Sequence, residues 1–204
     1  GSEMCIRDRV DEATGSKLAH LLHNKAFLFG IVALLSYEVS EISINSFFIN
    51  YVSDGGWMNP RDASIALSFG GLGLFMMGRV VGSLLMQHVG TERVLSICAV
   101  CTFLCTFVVM LNMGMFSLIA LVLVYVFESI MFPTIFALSL RGLGSLTKRA
   151  SSLLMMTPIG GAIGPLLMGI VADASSMSVA FIIPLIGFAN VLAYAFAQRK
   201  EHTA

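Results

Sequence analysis

Six long apolar stretches, separated by short polar or charged segments, are the feature that most constrains how this 204-residue chain folds. Their approximate limits are 26–52, 63–86, 94–111, 116–140, 151–171 and 179–197. A helix needs about 20 residues to cross the hydrocarbon core of a bilayer, and each stretch provides close to that length. The stretches lack the period-two alternation of strands, and a spanning segment must satisfy its own backbone polar groups. The sequence therefore predicts an all-α membrane protein with six transmembrane helices.

The composition argues against several other classes of protein. Hydrophobic residues make up 57% of the chain and charged residues 12%, which is far from the balance of a soluble domain. Twelve basic and twelve acidic residues give a formal net charge of +0, so there is no basic field to attract nucleic acid. The sequence has no H-E-x-x-H motif and no nucleophile elbow with a matching histidine. We therefore expect neither an enzyme nor a nucleic-acid-binding protein, and no cofactor.

Three cysteines lie near one face of the third predicted helix. Cys98, Cys101 and Cys105 have a spacing that a metal or cluster site could use, but no fourth ligand accompanies them in this apolar region. Small packing residues are the favoured interpretation, and no metal site is predicted.

The first 25 residues differ from the rest of the chain. Residues 1–9 are polar, and M-C-I-R-D-R at positions 4–9 resembles the translation of an adapter used in DNA sequencing libraries. An ordinary disordered terminus is the alternative. Residues 10–25 carry charges and histidines and predict a cytoplasmic linker, which leaves 26–204 as the six-helix lobe.

The loop charges predict the orientation of the helices. If the helices alternate in direction, one side of the membrane receives most of the basic residues: Lys17, Lys25, Arg93, Arg141, Lys148, Arg149, Arg199 and Lys200. The loops on the other side carry Arg61 against Asp54, Asp62 and Asp173. By the positive-inside rule, both termini are then cytoplasmic. We expect a multi-pass protein of the plasma (inner) membrane.

Three polar residues form one stripe on the first predicted helix. Glu38, Glu41 and Asn45 are spaced i, i+3 and i+7, and at about 100° per residue they fall within a narrow arc. An ionisable side chain at bilayer depth is costly, so each carboxylate is a functional candidate. Two carboxylates one turn apart repel each other, and such a pair tends to keep a proton, as a proton relay requires. Glu38 and Glu41 are therefore candidates for proton coupling.

Substrate binding is the second role that this stripe could serve. Asn45 and Asn50 offer paired hydrogen-bond donors and acceptors of the kind that hold sugar hydroxyls. Together with Glu41 and with Glu128, near the middle of the fourth helix, they are candidate substrate-binding residues. The alternative is a polar seam that packs against partner helices, in which Asn and Glu join helices by hydrogen bonds.

Other residues suggest places where the helices pack closely or bend. Pro133 lies five residues after Glu128 and predicts a kink beside that carboxylate. Arg79 is flanked by small residues in the second helix, which favours gating or packing over substrate contact. The fifth helix contains a run that permits bending or close approach to a neighbour, with Gly160, Gly161 and Pro165 as its candidate positions.

Three strings of residues carry a resemblance to one family of transporters. They are Y-x-x-x-E-x-S-I-x-S-F at 37–47 with N-Y at 50–51, G-R-x-x-G-S at 78–83, and S-I-M-F-P-T-I-F at 129–136. These strings resemble the seventh, eighth and tenth helices of sugar symporters of the major facilitator superfamily, in the fucose:proton and glucose/galactose transporter family. Two residues depart from that pattern: Glu38 stands where a small or apolar residue is expected, and Glu128 stands where the family often has Asn.

The resemblance implies a fold and a function. It implies one six-helix lobe of a twelve-helix major facilitator fold, in the carboxy-terminal half of a symporter for a hexose or deoxyhexose. The expected partners are an amino-terminal six-helix lobe that this chain lacks, the sugar, a coupling cation (a proton) and the lipid bilayer. The alternative is a six-helix membrane scaffold or sensor subunit without transport activity.

Overall fold

The computed structural model describes Leu21 and residues 23–203 of the chain. The predicted adapter translation at 1–9 and most of the predicted linker at 10–25, including Lys17, lie outside the described residues.

Within this described part of the chain, six helical segments are long and apolar enough to cross a membrane, so the predicted all-α architecture is confirmed. In chain order they are α1 (Lys25–Asp54), α2 (Pro60–Met86), α3 (Thr91–Met110), α4 (Met115–Leu140), α5 (Gly144–Ala174) and α6, which spans Met177–Lys200 and continues as helix to Thr203. The predicted limits differ by a few residues except in α5, which begins seven positions earlier than expected. The reason is that the residues at 144–150 are mostly polar or glycine, and a search for apolar residues does not include them.

Four of the six segments are interrupted. A π-helical turn at Ala66–Gly71 lies between Pro60–Ile65 and Leu72–Met86 in α2, and α4 consists of Met115–Glu128 and Met131–Leu140. In α5, 3₁₀ turns at Gly144–Leu146 and Thr157–Ile159 alternate with helices at Thr147–Leu154 and Gly160–Ala174. In α6, Met177–Ala180 precedes Ile182–Thr203.

Helix α1 lies at the centre of the fold and packs against α4, α5 and α6 through small or polar side chains. On the α6 side, the Ser40 hydroxyl donates to the carbonyl of Ser36 at 2.8 Å and to that of Pro184 at 3.1 Å. Gly187 of α6 sits against this hydroxyl, where a Cβ atom would collide with it. On the α5 side, Gly160 approaches the backbone carbonyl of Leu35. These close approaches show that α1 is in tight contact with both α5 and α6.

Helix α2 is the least buried of the six segments. Large apolar side chains along it are exposed, including Phe69 at 80% and Met76 at 71%. A soluble protein would bury such side chains, whereas in a membrane protein they can be covered by lipid or by a second group of helices.

An ion pair joins the ends of α3 and α4 on the side of the basic loops. Arg141 Nη1 lies 2.5 Å from Glu92 Oε1, and the Glu92 side chain is 7% exposed. The pair holds the loop after α4 against the first turn of α3.

Candidate functional site

The stripe on α1 faces the side of that helix that its tightly packed neighbours leave open. Gly160 and Gly164 of α5 occupy one side of α1, and Ser40 marks the side that meets α6. At about 100° per residue, Glu38, Glu41 and Asn45 lie on neither of these sides. Glu38 is buried, and the other two are half-buried.

Glu41 and Glu128 lie close enough to interact, although they are on different helices. Glu128 of α4 is 0% exposed, and Glu41 is its charged neighbour. The Tyr37 hydroxyl, one turn before Glu41, donates to the backbone carbonyl of Glu128 at 3.1 Å. Arg79 of α2 is a charged neighbour of Glu41, and Tyr125 of α4 is a neighbour of both carboxylates. We call these five residues the carboxylate cluster.

Several polar atoms in and beside this cluster are buried without a hydrogen-bond partner among the described residues. They are both carboxylate oxygens of Glu128, the Tyr125 hydroxyl and the Asn45 side-chain oxygen. A buried polar group without a partner costs free energy, and a buried charge without one costs far more. Such groups therefore indicate a site completed by a proton, a ligand or other groups.

The interruption of α4 explains the position of Arg79. Pro133 has no backbone N–H and cannot donate to the carbonyl of Ser129, four residues earlier. Arg79 Nε donates to that carbonyl instead, at 3.0 Å, while its guanidinium lies 4.9 Å from the centre of the Phe75 ring. The Tyr37 hydroxyl of α1 also donates to the backbone carbonyl of Glu128. Side chains of α1 and α2 therefore both bind the backbone of α4 at the break.

The bond between Arg79 and α4 can be tested with a double-mutant cycle. Arg79→Ala leaves the Ser129 carbonyl without a partner, which we expect to cost about 1–3 kcal/mol of stability. Pro133→Ala restores a backbone N–H that can donate to this carbonyl, so the same Arg79 substitution should cost less in that background. Thermal unfolding in detergent measures the four proteins, and strictly additive effects would contradict this account of Arg79.

A cavity of about 440 Å³ opens beside Arg79, between α2 and α4. Its lining combines apolar side chains with a guanidinium and three hydroxyls, from Arg79, Ser83, Met86, Thr91, Ile130, Pro133, Thr134 and Ala137. Its volume lies in the range of sites for small molecules.

The structure does not bring all the predicted residues together. Asn50 is exposed nine positions beyond Glu41, which is about 14 Å along a helix axis. In α5, Gly161 packs on the Ile42 side chain, and Gly164 packs on α1. Pro165, which follows Gly164, is half-buried. The run that was predicted to bend or to approach a neighbour therefore lies against α1. Pro133 lines the cavity beside Arg79.

Sequence reasoning missed Tyr37 and Tyr125 as members of the cluster. Both are fully buried, and they stand in apolar runs where an aromatic residue is ordinary core. A tyrosine hydroxyl inside a membrane span was the available signal, because a buried hydroxyl needs a partner.

Comparison with known proteins found relatives but no matching family model. A glucose/galactose transporter of Brucella abortus biovar 1 (strain 9-941) is 33% identical over 178 residues, covering 85% of this chain and 42% of that protein. An L-fucose-proton symporter of Escherichia coli (strain K12) is 32% identical over 194 residues, covering 94% of this chain and 43% of that protein. The chain therefore spans less than half the length of these relatives.

Solved structures match the same fold. The crystal structure of FucP, a major facilitator superfamily transporter, in the outward conformation superposes with a TM-score of 0.86 and 30% identity. The match covers 90% of this chain and 45% of that one. A peptide transporter bound to sulfate has a TM-score of 0.76 at 16% identity, which is a likeness of fold alone.

Proposed function

We propose that this chain is the carboxy-terminal half of a sugar transporter. The premise is that it has the fold of one six-helix lobe of the major facilitator superfamily and resembles the fucose and glucose/galactose symporters of that superfamily. In this proposal a second six-helix lobe completes the binding site, and the two lobes alternate in exposing it to either side of the membrane. The sugar is a hexose or deoxyhexose, and its movement is coupled to a cation, the proton.

The depth of the carboxylate cluster is the observation that carries this proposal. Glu128 lies thirteen positions from the first residue of α4 and twelve from the last, so it is near the middle of the span. Transporters of this architecture bind substrate near the bilayer midplane, at the interface between two repeats. An ionisable group at this depth is otherwise costly, which favours a functional role for it.

The half-buried part of the stripe suits a polyhydroxylated substrate. Glu41 accepts hydrogen bonds, and the amide of Asn45 can donate and accept, as a sugar hydroxyl requires. The unpartnered Asn45 oxygen supports this assignment, and Asn50 lies further along the same helix as an outer contact. A scaffold or sensor subunit is the other function considered, and the relatives named above, all transporters, do not favour it.

The orientation is part of the proposal, with both termini and the basic loops in the cytoplasm of a cell bounded by the plasma (inner) membrane. Ser145 and Ser175 are exposed at opposite ends of α5 and provide the test. In a chain whose four native cysteines are replaced, Ser175→Cys should react with an impermeant thiol reagent in intact cells. Ser145→Cys should react only after permeabilisation, and the reverse pattern would overturn the orientation.

Gradient-driven uptake of a hexose or deoxyhexose by the chain paired with an amino-terminal lobe tests the transport function. Absence of uptake by two folded and assembled lobes would contradict it.

A further inference from the structure

We propose that Glu41 and Glu128 together hold one proton, so that this lobe has a proton site of its own that joins α1 to α4. The role of this site in coupling rests on the proposed transport function, but its existence does not. The site differs from the pair expected from the sequence, because the partner of Glu41 is Glu128 on another helix, and Glu38 one turn away is a further neighbour.

Charge balance within the cluster is the first argument. Glu41 and Glu128 contribute two carboxylates, and Arg79 contributes one positive charge that acts on Glu41. Within the pair, one negative charge is therefore left over in a region where Glu128 is fully buried, and the buried Glu38 beside Glu41 adds a further carboxylate outside the pair. An uncompensated charge is strongly disfavoured there, and a single added proton balances Glu41 and Glu128 against Arg79.

The unpartnered atoms place that positive charge. Both Glu128 oxygens and the Tyr125 hydroxyl are buried without a hydrogen-bond partner among the described residues. A proton on the pair gives Glu128 a donor, and the Tyr125 hydroxyl lies near enough to interact with either carboxyl group. The Tyr37 hydroxyl bonds to the backbone carbonyl of Glu128 and interacts with Glu41, but it reaches neither carboxylate oxygen of Glu128, so those two oxygens still need a donor.

The chemistry of the cluster favours a proton over a metal cation. Hard metal ions need several oxygen ligands arranged around them, six or more for calcium and six for magnesium. Among the described residues there is no group of three histidine, cysteine, aspartate or glutamate side chains that could hold a metal ion. A bound proton needs only one carboxylate to hold it and a hydrogen-bond partner, and two carboxyl groups and a phenol provide both.

The charged and titratable groups around the pair come from three helices. Helix α1 contributes Glu38 and Tyr37 beside Glu41, α2 contributes Arg79, and α4 contributes Tyr125. Binding is a simple transfer, in which a hydronium ion gives a proton to one carboxylate and leaves a water molecule, and release returns the proton to water as hydronium. Because α4 is interrupted directly after Glu128, adding or removing this proton acts at the break in the helix.

Infrared spectroscopy of the 204-residue chain in lipid nanodiscs tests the site directly. A protonated carboxyl group gives a carbonyl band that a carboxylate lacks, and the wild-type chain should show this band at neutral pH. Glu128→Gln should weaken it, whereas the exposed Asp173→Asn should leave it unchanged. Size-exclusion profiles establish that each variant is folded, and Glu128→Asn is a second variant at the same position.

Three results would overturn the proposal. They are absence of the band in the wild-type chain, persistence of the band at full strength in both folded Glu128 variants, and loss of the band when sodium replaces choline in the buffer. The last would mean that sodium, and not a proton, is the bound cation. If the band behaves as expected but the chain assembled with an amino-terminal lobe takes up no sugar, the transport function is contradicted while the proton site is supported.

Discussion

Replacing Gly164 with alanine is expected to destabilise the lobe, although alanine is the better helix former. A Cβ atom at this position would meet the backbone carbonyl of Val39 and, at 2.5 Å, the hydroxyl of Ser43. A carbonyl in the middle of α1 cannot move aside as a flexible side chain can. Overpacking of this kind costs about 1–3 kcal/mol, against a gain of about 1 kcal/mol in helix propensity.

Gly169→Ala is the matched control, because Gly169 lies in the same helix. A Cβ atom there would lie 3.5 Å from the Phe47 ring, which is ordinary van der Waals contact. We expect this variant to be as stable as the wild type or more so, and Gly164→Leu to yield little folded protein. The midpoint of thermal unfolding and the monodisperse fraction in detergent measure the difference. Equal stability of Gly164→Ala and Gly169→Ala would contradict the close approach of α5 to α1.

The six spans could be predicted because the bilayer imposes a length and a composition on every helix that crosses it. The beginning of α5 at 144–150 could not be predicted in this way, because its polar residues place it outside the apolar pattern. The π-helical turn at Ala66–Gly71 is also invisible to a search for apolar periodicity, since its residues are as apolar as those around it.

Individual residues of the candidate site could be predicted from the sequence, but the contacts between them across different helices could not. A glutamate inside an apolar span stands out in a sequence, and Glu38, Glu41 and Glu128 were found for this reason. The pairing of Glu41 with Glu128 depends on how α1 packs against α4, which periodicity within a single helix does not determine. The bond from Arg79 to the carbonyl of Ser129 likewise depends on the approach of α2 to α4 at the break.

Joining this chain to an amino-terminal lobe is expected to turn an inactive membrane protein into a transporter. One lobe provides only part of the wall of a midplane site and has nothing to move against, so alone it cannot expose the site alternately to the two sides. We therefore expect no sugar accumulation in liposomes that contain this chain by itself. Co-expression with the amino-terminal half of a glucose/galactose or fucose symporter should provide the second wall and restore uptake.

Radiolabelled sugar uptake into liposomes under an imposed proton gradient is the most direct test of the central claim that this chain is half of a sugar transporter. Glucose, galactose and fucose are the substrates, and the chain alone, the amino-terminal half alone and the assembled pair are compared. The account predicts accumulation above equilibrium for the pair and none for either half, with loss of accumulation when the gradient is collapsed. Equal gradient-driven accumulation by the chain alone, or none by a pair shown to be assembled, would contradict it.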